Sequence, residues 1–154
     1  MTPGRAGRIL QVSVSPGGLP KLPVQGAVAF RREGVEGDHN RYRTERLGGD
    51  PDSAVLLLTQ DVLDGYAREG YPVKPGSLGE NVTLVGVPYE ELRAGQRWRL
   101  GPQAEIELSR PCEPCDEVAV YGKEFVRHSR GRRGWYARVL VEGPVSAGDG
   151  AVEG

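Results

Sequence analysis

The stretch QRWRLGPQAEIELSRPCEPC, residues 96–115, joins two strand patterns to the two cysteines of the chain. In its second half, apolar residues at 104, 106 and 108 alternate with glutamates at 105 and 107. This alternation is typical of a strand with one buried face. The Gly101-Pro102 pair between residues 96–100 and 104–109 predicts the turn of a β-hairpin. The hairpin leads directly into the cysteine motif.

The remainder of the chain has the same short-segment pattern. Its 23 glycines and 12 prolines are spread over the full length and break it into brief elements. Further strands are predicted at Arg8–Val14, Val24–Phe30, Ala54–Leu58, Val82–Val85 and Trp135–Val141, with a helix from Thr59 to about Glu69 that Thr59 can cap. Short helical pieces are expected near Val118–Tyr121 and Phe125–His128. Seven or eight strands without a repeating βαβ order predict a mainly β fold, a closed or nearly closed barrel with a few flanking helices.

Length and composition limit the classes of function. The 154 residues fit one domain, 1–154, and a net charge of −1 gives no overall attraction to nucleic acid or to acidic membranes. The longest apolar run, Ala54–Leu58, is too short to cross a bilayer, and the first residues lack the apolar core of a signal peptide. We therefore expect a cytoplasmic protein without nucleic-acid or membrane partners. Only three lysines are present, none in a recognisable setting, so binding of pyridoxal phosphate is not expected.

The cysteines Cys112 and Cys115 are each preceded by a proline, which stiffens the turn that carries them. Four interpretations remain open: a zinc site completed by His39 and His128, a redox dithiol, two inert buried thiols, or a single reactive thiolate. For the last, Cys115 is the candidate because it immediately precedes a helix-like segment, whose N–H groups favour a thiolate. Such a thiolate can bind a soft metal or carry a persulfide.

Two further features are candidate binding sites. The first is an arginine-rich segment without acidic residues, which is either a solvated surface or an anion clamp. The clamp is considered because arginine binds phosphate in a bidentate manner. The segment contains Arg127, His128, Arg130, Arg132, Arg133 and Arg138. The segment Gly76–Asn81 offers Glu80 and Asn81 at the start of a strand. The long polar loop from Arg31 to Pro51 carries Asp38 and His39.

In this order the motifs resemble those of MOSC domains, named after the C-terminal domain of molybdenum cofactor sulfurases. The likeness extends from about residue 8 to 150 and is of the stand-alone bacterial type. Four stretches carry it: Gly34–His39 with Gly48-Gly49 and Ala54-Val55; Gly76–Asn81; Arg110–Cys115; and Gly134–Leu140 with Ala147–Asp149. The chain departs from many relatives at Leu47, where they carry histidine before the Gly-Gly pair.

The resemblance implies a β-barrel core and one key cysteine, matching Cys115, that binds molybdenum of a pterin cofactor or carries sulfur. It implies that Arg110 and the segment Arg132–Arg138, with Arg133, contact the phosphate of the cofactor. The other residues that it marks for cofactor binding are Asp38, His39, Glu80 and Asn81. Cys112 lies outside the general family pattern and could form a reversible disulfide with Cys115.

Two functions follow from the resemblance. The first is a molybdenum-dependent oxidoreductase that reduces N-hydroxylated small molecules with electrons from a separate protein. The second is a carrier that holds sulfane sulfur or the cofactor and passes it on without turnover. Both functions use the same site, and the enzyme is the favoured prediction.

Overall fold

The computed structural model describes residues 4–38, 48–113 and 116–154. Within these ranges the chain forms eleven strands: β1 (Ala6–Val14), β2 (Leu22–Pro23), β3 (Val28–Arg31), β4 (Gly34–Val35), β5 (Val55–Thr59), β6 (Val82–Val85), β7 (Arg97–Leu100), β8 (Ala104–Pro111), β9 (Trp135–Val141), β10 (Gly143–Val145) and β11 (Gly150–Glu153). Two α-helices are present in the same ranges, α1 (Gln60–Arg68) and α2 (Phe125–His128). Single 3-10 turns lie at Pro51–Ser53, Tyr89–Glu91 and Asp116–Tyr121.

Seven of these strands close into a barrel, as the sequence predicts. The order around it is β1, β11, β7, β8, β9, β5 and β6, and β6 pairs with β1 again. All neighbours are antiparallel except β5 and β6, which are parallel and are joined by α1. A small second sheet, β10-β3-β4, is not hydrogen-bonded into this ring but packs Phe30 against the same core.

The interior of the barrel is filled by apolar side chains at alternate strand positions. Ile106 and Leu108 are 0% and 1% exposed, whereas the glutamates at 105 and 107 are only partly buried. This agrees with the alternation predicted for the hairpin, which forms between β7 and β8. Trp98 and Phe30 are the largest side chains in this core, and both are fully buried.

Helix α1 packs on the outside of the barrel through Val62, Leu63 and Tyr66, which form a second core cluster with residues that include Phe125. The predicted helix is confirmed. Thr59 occupies the N-cap position, but its hydroxyl donates to the Asp61 carboxylate and does not cap the helix backbone. The helix ends as predicted before a glycine, residue 70, in the left-handed region.

The structure differs from the sequence prediction in the first third and at the end of the chain. The predicted strand Val24–Phe30 is shorter and shifted, to Val28–Arg31, and it pairs with β10 outside the ring. Strand β11, for which the sequence analysis predicts no element, is the strand that closes the barrel. No helix in the described part of the chain is long and apolar enough to cross a membrane.

Candidate functional site

The candidate site lies at one end of the barrel, where β5 and β8 finish and β9 begins. Cys112 directly follows β8, and its backbone N–H donates to the Gly134 carbonyl oxygen at 2.7 Å. The residue is 7% exposed, and it packs against Leu56 and Tyr136 on the outer face of the sheet. One of the two thiols is therefore nearly excluded from solvent.

Cys115 and His39 lie outside the described residues, so the roles predicted for them stay predictions. His128, the other histidine proposed as a zinc ligand, has its ring Nδ1 2.6 Å from the Tyr71 hydroxyl oxygen. Over residues 4–38, 48–113 and 116–154, no group of three or more Cys, His, Asp and Glu side chains converges as a metal site.

Arg133 and Glu80 form the most unusual polar arrangement at this end of the barrel. Arg133 is 3% exposed, yet its Nε and Nη1 atoms have no hydrogen-bond partner in the described part of the chain. Glu80 is fully buried; Oε2 accepts hydrogen bonds from the Gly76 N–H at 3.0 Å and the Thr83 hydroxyl at 2.9 Å. Its Oε1 likewise has no partner in the described residues.

Burial raises the pKa of Glu80, and the nearby Arg133 charge acts in the opposite direction. Buried polar atoms without partners are uncommon, because each costs free energy comparable to a lost hydrogen bond. Among the described residues, two donors on Arg133 and one acceptor on Glu80 are thus left for a polar ligand. Both are site residues predicted from the sequence, and Arg133 is near enough to act electrostatically on Glu80.

Three tyrosine hydroxyls fix the loops around these two residues. The Tyr66 hydroxyl donates to the Arg132 carbonyl oxygen at 2.7 Å, and burial raises the pKa of Tyr66 to about 12, so the donor stays protonated. The Tyr121 hydroxyl donates to the Ser77 carbonyl oxygen at 2.5 Å. The Tyr89 hydroxyl accepts from the Gly134 N–H at 3.1 Å. The backbone on either side of Arg133 is therefore held in place.

Asp38 and Asn81 belong to a buried network that joins β1, β5 and β6. The Lys21 Nζ atom lies 2.8 Å from Asp38 Oδ2, with side-chain exposures of 2% and 0%. The Asn81 amide donates to Asp38 Oδ2 and to the Ser13 carbonyl oxygen, both at 3.1 Å, and its oxygen accepts from the Leu56 N–H. These contacts show that Asp38 and Asn81 stabilise the fold. Their predicted role in cofactor binding stays a prediction.

The arginines of the predicted clamp do not lie together. Arg138 Nε donates to Asp52 at 2.8 Å, and its Nη1 contacts Glu107 on the outer wall of the barrel. Arg110, on the same wall, donates to the Ser53 hydroxyl at 2.5 Å and stacks over the Tyr136 ring. Arg132 and Arg133 occupy the turn before β9. The segment is thus split between a surface ion-pair network and the barrel end.

A cleft of about 720 Å³ opens beside this turn, between α1, the 3-10 turn at Tyr89–Glu91 and the ends of β8 and β9. Trp135 and Leu92 give it apolar walls, and Pro111, the residue before Cys112, lies on its edge. Three arginines line it: Arg68, Arg93 and Arg132. Arg68 and Arg93 were not predicted as site residues, because neither belongs to a motif. The one sequence signal near them is Gly65, a helix-weakening residue in the middle of α1.

Comparison with known proteins identifies the family. The MOSC domain model matches residues 44–152. The chain belongs to the MOSC domain family. This MOSC domain is 34% identical over 144 residues to YflK of Bacillus subtilis (strain 168), an uncharacterized protein, with 85% of the chain and 60% of YflK covered. It is 28% identical over 156 residues to a protein named reductase from Gibberella moniliformis, with 94% of the chain and 27% of that protein covered.

The fold of this MOSC domain is also similar to a solved structure, YiiM from Geobacillus stearothermophilus. The TM-score is 0.76 at 25% sequence identity, with 96% of the chain and 75% of YiiM covered. The chain spans less than two thirds of the length of the two relatives matched by sequence. The family and the barrel are thus established, while the activity has to be argued from the residues of the site.

Proposed function

We propose that this MOSC domain binds a molybdenum-pterin cofactor at the barrel end, with Cys115 as the metal ligand and Arg133 as the principal cation for the cofactor. Family membership supports a role in molybdenum-cofactor or sulfur chemistry. The observation that carries the proposal is that two donors on buried Arg133 and one acceptor on buried Glu80 have no hydrogen-bond partner among the described residues.

The residues fit such a cofactor in chemical terms. A pterin ring presents N–H donors and carbonyl or ring-nitrogen acceptors along its edge, and the side chain ends in a phosphate. The Arg133 guanidinium suits phosphate or carbonyl oxygens, and Glu80 Oε1 suits an N–H donor. Arg110 and Arg138 already hold polar partners on the outer wall, which makes them weaker candidates for the phosphate contact.

The reaction that this proposal favours is reduction of an N-hydroxylated small molecule. The bound cofactor would supply two-electron chemistry at the substrate oxygen. The N–O bond breaks, two electrons and two protons are taken up, and an N–H compound and water leave. The electrons come from a separate redox protein. In this chain, the tyrosine-fixed loops orient Arg133, and the burial of Cys112 keeps bulk water from that side of the site.

A sulfur carrier is the second candidate, and the Cys112–Cys115 spacing favours it. Cys115 would attack the sulfane sulfur of a donor persulfide; one S–S bond breaks, another forms, and the donor leaves as a thiolate. Cys112, three positions away in the sequence, would then attack the Cys115 sulfur, forming a disulfide and releasing the outer sulfur as hydrosulfide. This role needs a sulfur-donor protein but no bound metal.

The test is to purify the chain from cells that make the cofactor and to measure bound molybdenum and pterin by mass spectrometry, with sulfane sulfur by cyanolysis. We expect about one molybdenum per chain, lost in Cys115→Ala and reduced in Arg133→Gln. Arg99→Gln, an exposed arginine on β7, is the matched control and should retain full loading.

The outcomes separate the candidates. Sulfane sulfur without molybdenum would support the carrier. If the wild-type protein carries neither and Cys115 resists alkylation in the folded state, both functions are wrong. Loading that is equal in Arg133→Gln and wild type would remove Arg133 from the cofactor site.

A further inference from the structure

The cleft between α1 and the start of β9 holds cations that the cofactor proposal does not use. Within the described ranges, the Arg68 side chain makes no hydrogen bond or ion pair, and the Arg93 side chain donates only to the carbonyl oxygens of residues 90 and 92. Arg132 uses Nη2 for its hydrogen bond to the His128 carbonyl oxygen, and that atom lies 3.7 Å from the Glu69 carboxylate.

Gly65 opens the floor of the cleft between two of these cations. A Cβ built on Gly65 would lie 3.9 Å from Arg68 Nη2 and 4.0 Å from Arg132 Nη1. Glycine in a helix interior costs about 1 kcal/mol relative to alanine, so this position gives up helix stability. Because Gly65 has no side chain, the guanidinium groups of Arg68 and Arg132 both lie near an open position on the helix surface. An anionic group could bind at this position.

Two carboxylates also lie in the lining of the cleft. Asp61 is already engaged: Oδ1 accepts from the Thr59 hydroxyl and the Val62 N–H, and Oδ2 accepts from the Tyr89 N–H at 3.2 Å. Glu90 is the second carboxylate of the lining. Glu69, outside the lining, pairs with Arg132, so three arginines face three carboxylates, and Arg68, like Arg93, is a cation of the lining that no described carboxylate pairs with.

Part of the lining is apolar and aromatic. It includes Trp135 and Tyr89, together with Leu92 and Pro111. Aromatic walls facing a few convergent polar groups are typical of sites for flat organic ligands, and the volume of about 720 Å³ lies in the range of such sites.

We infer that this cleft binds a flat aromatic molecule that carries one anionic group, with the ring against Trp135 and the anion at Gly65 between Arg68 and Arg132. Pro111 places the apolar end of the ligand next to Cys112. If the proposed function is correct, this is the substrate side of the site, but binding itself requires no cofactor.

The experiment is isothermal titration calorimetry on the purified full chain at low salt with two matched pairs of probes. The pairs are 1-naphthyl phosphate with 1-naphthol, and 2-naphthoate with 2-naphthamide. We expect each anion to bind more tightly than its neutral partner, by roughly ten- to hundredfold, because a charge-assisted hydrogen bond is lost with the charge. The tighter anion shows whether the site prefers a phosphate ester or a carboxylic acid.

Two variants and one control locate the site. Arg68→Gln should weaken binding of the anions by roughly tenfold and leave the neutral probes unchanged. Gly65→Ala should raise Tm by about 2–4 °C and still weaken binding of the anions, a combination that general damage to the fold cannot produce. Arg99→Gln removes the same charge on β7, away from the cleft, and should bind like wild type.

Equal affinities for charged and neutral probes, or unchanged anion binding in both Arg68→Gln and Gly65→Ala, would overturn the inference. Neither result would bear on the proposed function, since the probes contain no molybdenum, sulfur or pterin. Conversely, loss of molybdenum in Cys115→Ala says nothing about naphthyl phosphate binding.

Discussion

Replacing Lys21 with methionine tests whether the Asp38 network holds the barrel together. The two side chains are 2% and 0% exposed, and their charged atoms lie 2.8 Å apart. Methionine keeps most of the length of the lysine side chain but removes the cation, so the Asp38 carboxylate loses this ion pair in a nearly water-free position. Removing one partner of a buried ion pair typically costs about 3–5 kcal/mol.

The loss should be visible in both chemical and thermal unfolding. For a chain of this length, 1 kcal/mol corresponds to about 2–4 °C in Tm, so the expected decrease in Tm is roughly 6–20 °C. Urea titrations followed by circular dichroism give the free energy of unfolding directly. Lys74→Met is the matched control, because Lys74 is exposed and its replacement should change stability by less than about 0.5 kcal/mol.

A loss of stability in Lys21→Met below about 1 kcal/mol, close to that of Lys74→Met, would refute this reasoning.

Two further predictions concern the barrel end. Burial raises the folded-state pKa of Glu80 above its ordinary value of 4.5. The folded state therefore binds the Glu80 proton more tightly than the unfolded state does. As a result, the contribution of Glu80 to the free energy of unfolding falls as the pH rises from 4.5 through the folded-state pKa. Glu80→Gln should flatten this decline in urea titrations from pH 5 to 8, and equal slopes in the two proteins would contradict the assignment. Gly134→Ala should cost about 1–3 kcal/mol, since Gly134 has a φ of 119° and a Cβ there would lie 3.0 Å from the Leu57 carbonyl oxygen. Gly131→Ala, with a φ of 81° and open space around it, is the control and should lose less.

The parts of the fold that depend on local patterns could be predicted from the sequence. The alternation in residues 104–108 set the inner and outer faces of β8, and the apolar spacing of α1 with a glycine after it set that helix. Strand β11 could not be predicted in this way. Its four residues, Gly150–Glu153, contain no periodic pattern, and they become a strand only because β1 and β7 provide pairing edges on both sides.

In the candidate site, too, local sequence patterns predict some features, while others depend on contacts between distant residues. Arg132, Arg133 and Arg138 are close in sequence and were predicted to act together. Arg138, however, lies within β9, where alternation turns it to the outer wall and towards Asp52. The relation between Glu80 and Arg133 depends on packing across more than fifty residues, which no local pattern encodes. The cleft at Gly65 is likewise assembled from four separate segments.

The seam of the barrel has a kinetic consequence. Ala6 pairs with Val152, so β1 and β11 come together only after almost the whole length of the chain has been gathered into one loop. The entropic cost of closing a loop grows only slowly with loop length. The chain nevertheless has to meet this cost before the pairing of β1 with β11 contributes any stabilisation. Topologies dominated by such distant pairings fold in roughly milliseconds to seconds, whereas helical bundles are much faster. During that interval the edges of β1 and β7 are unpaired and open to strands from other chains, and this period rather than the finished barrel is the stage most exposed to aggregation.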